Sequence, residues 1–254
     1  MIHTERVAGI PVLWAEPGEG IQRKLVIWLP GFTDNKESVK AHLADLAAAG
    51  FVALSFDPVD HGERSHRTTR PIADSTSGRF HSVTDGKLYR HFWSILAETA
   101  EEAPLIIDWA VEKLGVAPAV GMGGISMGGD IAVTAAGLEP RIAVVAACIA
   151  TADWLKPGSI YQLSAPNPVI QAQYERYNPL TNLARYQHCP AIAFLCASKD
   201  PIVPPDGATR FVEALTPTYA TCPEKLAVVL ESATVHQMTP AMWRNSLHCF
   251  KRYL

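Results

Sequence analysis

Apolar and polar positions alternate between two periods along this chain. Ile10 to Ala15 and Lys24 to Leu29 are β-rich, and the turn Pro17-Gly18-Glu19-Gly20 between them predicts a hairpin. A helix is predicted from about Lys36 to Ala49, with Val39, Leu43 and Leu46 at helical spacing. Asp34 with Glu37 reads as its capping pair and Gly50 as its stop. Phe51 to Phe56 is a strand. Periodicity fails from Asp60 to about Trp93, where charged, Ser/Thr and Gly residues dominate. A helix resumes by about Ala97 and runs to Leu114, with Gly115 as stop.

The second half repeats the alternation. Ala117 to Ile125 is an apolar strand, Met127 to Leu138 a helix of small residues, and Ile142 to Ile149 a strand apolar on both faces. Asp153 to Gln187 is a second irregular block, whose prolines exclude one continuous helix. Ala191 to Ala197 and Lys225 to Leu230 are further strands; Asp206 to Leu215 and Pro240 to Tyr253 are helices. Strands alternating with helices predict an α/β fold, a mostly parallel central sheet with helices on both faces. The 254 residues suit a single domain, 1–254, with irregular inserts at about 60–93 and 153–187. Loops that long in compact domains are often functional.

The chemistry gathers at strand ends. Gly124-Ile125-Ser126-Met127-Gly128 fits Gly-x-Ser-x-Gly, which sets a serine on a sharp turn between a buried strand and a helix. A dinucleotide fingerprint would need glycine at Ser126, and a phosphate loop a lysine after its last glycine. Serine is a poor nucleophile alone, so the motif calls for an acid and a histidine further on. Asp200 follows the strand Ala191 to Ala197 in the stiff Lys199-Asp200-Pro201-Ile202-Val203-Pro204 loop. Its competitor Asp206 is better placed as a helix cap. His236 lies on the loop before the closing helix, whereas His248 lies within that helix. An oxyanion formed at Ser126 needs backbone N–H donors: Met127, which follows the serine, and Phe32 on the loop after Lys24 to Leu29.

Four stretches now carry a resemblance: Leu29-Pro30-Gly31-Phe32, Asp60-His61-Gly62-Glu63-Arg64, Gly124 to Gly129, and Lys199 to Pro204 followed by His236. Over nearly its whole length the chain resembles the α/β-hydrolase superfamily. It is similar to small bacterial carboxylesterases related to dienelactone hydrolases and to the hydrolase domain of prolyl oligopeptidases. The order Ser126, Asp200, His236 is the order of that superfamily. The carboxylesterases often have His-Gly where Pro30-Gly31 stands, and dienelactone hydrolases proper use a cysteine where Ser126 points to an esterase. The resemblance implies an α/β-hydrolase fold with a small helical cap or insert. It also implies a serine hydrolase of small or medium carboxylic esters, with thioesters and peptide bonds as alternatives for the same side chains. A silent binding protein on the same fold is the alternative of a different class.

Asp60, His61, Glu63 and Arg64 read either as a second acid–base site or as a charged loop bracing the floor of the site. Phe92, Trp93, Trp154 and Tyr161 either line a substrate pocket or cover the sheet. Composition adds limits. With 22 basic and 25 acidic residues interspersed, no nucleic-acid or anionic-membrane partner is expected. The longest apolar run, Ile142 to Ala150, is too short to span a bilayer, and no signal peptide is visible. Cys148, Cys189, Cys196, Cys222 and Cys249 show no Cys-x-x-Cys pair and are expected as free thiols of a cytoplasmic protein. The nine histidines form no metal motif, so no metal or cofactor is expected. The expected partner is a small-molecule ester, and the chain a monomer or homodimer.

Overall fold

Ala8 and Gly9, at φ 49° and 87°, turn the N-terminal segment back on itself. Positive φ at both central residues gives a turn whose twist matches that of the flanking strands. It joins β1 (Ile2–Val7) to β2 (Ile10–Ala15) in antiparallel register. The expected pairing of Ile10–Ala15 with the next strand, β3 (Leu25–Leu29), is corrected. β2 pairs instead with β4 (Val52–Phe56), antiparallel, and β3 lies on the far side of β4, parallel to it. The reason is burial. Leu25, Ile27 and Leu29 enter one core while Val26 and Trp28 enter the other, so β3 requires an interior place in the sheet.

The computed structural model describes residues 2–18, 23–65, 72–74, 79–84, 88–165, 167–232 and 235–254, with backbone alone for 72–74, 79–84 and 88–90. Glu19 and Gly20 of the sequence-predicted turn, much of the 60–93 block and Ala233-Thr234 before His236 lie outside them. After β4 come three short strands, β5 (Ile72–Asp74), β6 (Arg79–Thr84) and β7 (Leu88–His91), in one antiparallel sheet within the block read as irregular. β8 (Val120–Ile125), β9 (Ile142–Cys148), β10 (Ala191–Ala197) and β11 (Leu226–Glu231) complete an eight-stranded sheet of order β1-β2-β4-β3-β8-β9-β10-β11. From β4 to β11 all neighbours are parallel.

Helices cover both faces. α1 (Lys40–Ala48) and α6 (Pro240–Tyr253) pack on one through Leu43, Leu46, Met242 and Phe250. α2 (Phe92–Leu114), α3 (Met127–Leu138) and α5 (Asp206–Leu215) pack on the other. The second insert contributes α4 (Pro168–Tyr177), which lays Ile170 and Tyr177 on that second core.

Three helix starts differ from the sequence pattern. Before α1 the chain makes a 3-10 turn, Lys36–Val39, capped by Asn35, whose side chain accepts from the N–H groups of Glu37 and Ser38; Asp34 is not the cap. α2 begins at Phe92, not near Ala97. Its cap is His91, whose Nδ1 accepts the Trp93 N–H at 3.2 Å. Asp206 is the first residue of α5, with Pro205 at the cap, and it pairs with Arg210 one turn on. His248 is exposed on α6.

Candidate active site

The parallel order carries the ends of β3, β4, β8, β9, β10 and β11 to one edge of the sheet, where ligands of such folds bind. Ser126 stands between β8 and α3 at φ 53°, ψ −114°, a conformation costly for a residue with a Cβ. Its surroundings hold it there. Its N–H donates to Cys148 O at 2.8 Å, and its carbonyl accepts the Asp130 N–H at 2.9 Å. A Cβ at Gly124 would lie 2.6 Å from the carbonyl carbon of Gly128, and one at Gly128 would lie 2.5 Å from Leu29 O. Both glycines of the motif are therefore demanded by backbone packing against the Leu29–Phe32 turn.

Asp200 lies just beyond β10, 4% exposed. Its Oδ1 accepts the N–H groups of Ile202 and Val203, both at 2.9 Å, which fixes the carboxylate plane. Its Oδ2 accepts from Nδ1 of His236 at 2.7 Å. On the other side of the ring, Nε2 lies 3.0 Å from Ser126 Oγ. With the carboxylate on Nδ1, that nitrogen carries the proton, and Nε2 is left to accept from the serine hydroxyl. The structure thus brings Ser126, His236 and Asp200, from three separate strand ends, into one hydrogen-bonded line. Geometry of this kind is what proton transfer from a serine hydroxyl requires.

The loop after β3 lies against this turn. Gly31 sits where an added Cβ would be 3.5 Å from Ile125 O, which brings the loop carrying Phe32 against the residue before Ser126. Thr33 takes a positive φ of 76°, and its N–H donates to Nε2 of His61 at 3.2 Å. His61, fully buried, donates from Nδ1 to Val59 O at 2.9 Å, and its ring lies 5.5 Å from that of Phe32. Glu63 and Arg64 of the same stretch also sit in bonds that tie this loop down. Glu63 N–H and Lys36 N–H donate to the Asp57 carboxylate, and Arg64 pairs with both oxygens of Glu102. His61, Glu63 and Arg64 brace the loop under the site.

Of the four aromatic candidates, Phe92 sets its ring edge-on to Phe32 at 5.3 Å. Trp93 and Trp154 are fully buried, with Trp93 Nε1 donating to Trp154 O at 3.0 Å; the Trp93 ring lies tilted against Trp154 on one side and Tyr174 of α4 on the other. Tyr161 is half-buried beside Ser159 and Ile160, which bond to the carbonyls of Ile202 and Pro201 on the Asp200 loop. The residues that motif reasoning missed are Asp130 and Lys156. Lys156 Nζ donates to Asp130 Oδ2 at 2.9 Å, and both are buried. Their separation of 26 positions matches no motif. The one sequence signal is an acid in the first turn of α3, where a core of small apolar residues gives it no other reason to be.

Cys148, Cys196 and Cys249 are buried free thiols, each pushed up to about 12 by burial. Cys189 and Cys222 are half-buried and also free. Among the described residues no helix is long and apolar enough to cross a membrane.

The sheet order, with its strand-end site, is that of the α/β-hydrolase fold, as the motifs imply. No family model matches it. The chain is similar to "Putative esterase YitV" of Bacillus subtilis (strain 168), at 25% identity over 284 residues, covering 100% of this chain and 99% of that one. Among solved structures it resembles TT1662 from Thermus thermophilus, with a TM-score of 0.76, 27% identity and coverage of 99% and 97%. It also resembles a Mycobacterium tuberculosis puromycin-hydrolyzing peptidase, at a TM-score of 0.71 and 17% identity. There all of this chain matches 39% of the longer one.

Proposed function

We propose that this protein is a serine hydrolase of small or medium carboxylic esters, working through an acyl-enzyme on Ser126. One observation carries the reading: a serine at φ 53° whose Oγ is 3.0 Å from an imidazole that is itself held at 2.7 Å by a buried carboxylate. His236 takes the Ser126 proton as Oγ attacks the ester carbonyl, and returns it to the departing alcohol. Asp200 keeps the ring in the required tautomer and offsets the charge it gains. The N–H groups of Phe32 and Met127 stabilise the tetrahedral oxyanion; losing one such donor typically costs on the order of a hundredfold in rate. Water deprotonated by His236 then releases the acid. Phe92 and Tyr161 flank the site, and Trp93 and Trp154 support the wall behind Phe92.

The name of the Bacillus relative favours an ester, while the likeness to a longer peptidase keeps a peptide or thioester reading open. The deciding experiment is hydrolysis of p-nitrophenyl acetate by wild type and Ser126→Ala, with fluorophosphonate labelling of both. Loss of turnover and label in the variant supports the reading. Unchanged turnover in Ser126→Ala sinks it, and an unlabelled, inactive wild type favours a silent binder. A matched set of ester, acyl-CoA and peptide substrates separates the acyl classes.

A further inference from the structure

Lys156 is a buried lysine 6% exposed, in the segment that leaves the end of β9, and it holds a positive φ of 49°. Its ammonium touches two parts of the site at once. Nζ donates to Asp130 Oδ2 at 2.9 Å, and it stands 5.0 Å from the centre of the Phe92 ring. Asp130 lies in the first turn of α3, its N–H bonded to the carbonyl of Ser126, and its Oδ1 accepts the Thr151 N–H at 2.8 Å. Phe92 in turn packs edge-on against Phe32. Three residues past Lys156, the Ser159 hydroxyl and Ile160 N–H bond to carbonyls of the Asp200 loop.

We propose that Lys156 is a positioning residue that latches the Phe92 wall to the nucleophile helix and so sets which acyl groups fit beside Ser126. The inference rests on the serine-hydrolase reading of the site. A desolvated ammonium strengthens its attraction to an aromatic face, and a buried ion pair holds its partners because breaking it strands a charge. Burial holds the Asp130 carboxyl above its ordinary value, with Lys156 pulling part of the way back. With the latch in place the Phe92 ring cannot retreat from Phe32, and the wall favours short acyl groups. Without it the ring gains room, and longer chains gain relative to acetate.

The test compares kcat/KM for p-nitrophenyl octanoate and acetate in wild type, Lys156→Met, Asp130→Asn, the double variant, and Lys156→Arg. Each single variant should raise the octanoate-to-acetate ratio by about threefold or more. The double variant should raise it no further, because both changes release one latch. Lys156→Arg should keep the wild-type ratio. Phe92→Leu, which spares the ion pair, should shift the ratio in the same direction, and Asp130→Asn, which breaks the same contact from the α3 side, decides the matter if the Lys156 variants do not fold. Equal rate losses on both esters, or a ratio within twofold of wild type, overturns the latch. Fluorophosphonate labelling of Ser126 in every variant separates the failures: an unlabelled wild type sinks the serine-hydrolase reading, a labelled protein with an unmoved ratio only the latch.

Discussion

The N–H of Thr33 donates to Nε2 of His61, 28 residues on, which ties the loop after β3 to the loop after β4. Because Nδ1 of the same ring is engaged with Val59 O, the imidazole is held from both sides and cannot rotate away. The bond fixes the backbone next to Phe32, one of the two donors assigned to the oxyanion. His61→Leu removes the acceptor and frees the loop backbone from the His61 ring. We expect kcat on p-nitrophenyl acetate to fall by about 10- to 100-fold with KM little changed, since the loss falls on a transition-state interaction. His61→Gln, which keeps an acceptor, should retain more activity. Equal kcat in wild type and His61→Leu would remove His61 from this role.

Strand-end rules and motif grammar made Ser126, Asp200 and His236 legible, because each sits where an apolar run stops and a turn begins. Pairing order was less so. The apolar run Leu25–Leu29 looks the same whether its neighbour is Ile10–Ala15 or β4, and only burial on both faces decides. The Ala8-Gly9 turn was readable in principle, but Thr4 to Arg6 gives β1 a polar face that hides the strand. The start of α2 escaped because its cap is a histidine, outside the usual Ser, Thr, Asp and Asn set. The Lys156–Asp130 contact leaves no periodic trace.

A pH effect on stability follows from His42. Its ring stacks on Trp28 at 5.8 Å and meets Trp243 edge-on at 4.6 Å. Burial there lowers its pKa below the ordinary 6.5, with Asp45 opposing weakly. The unfolded chain therefore takes up the proton at higher pH than the folded one. The stability that depends on neutral His42 is present above about 6.5 and is lost as pH falls through the lower folded value. His188, lowered for the same reason, adds to the slope. Urea unfolding at about pH 7.5 and about pH 5.5 should show wild type losing stability on acidification, and His42→Gln losing less. Identical losses in the two proteins would contradict this.

Lys36 carries a buried charge that joins the turn before α1 to the end of β4. Its side chain is 1% exposed, with Nζ at 3.0 Å from Asp57 Oδ2, 2.6 Å from Glu63 Oε1 and 3.0 Å from Glu37 Oε1. Asp57 is fully buried and also accepts the backbone N–H groups of Lys36 and Glu63. A Cβ at Gly62 would fall 2.2 Å from its Oδ1, so the turn at Gly62 packs its backbone directly on the carboxylate. Lys36→Met keeps most of the volume but leaves that carboxylate without its buried cation. Breaking one half of a buried pair typically costs about 3 to 5 kcal/mol. Asp57→Asn added to Lys36→Met removes the stranded charge and should restore part of the loss, although one backbone N–H then faces an amide hydrogen. Chemical denaturation of the four proteins in the cycle gives the coupling directly. Additive single losses, with coupling under about 0.5 kcal/mol, would mean that Lys36 and Asp57 act independently and that the loop under the site is held by its backbone bonds alone.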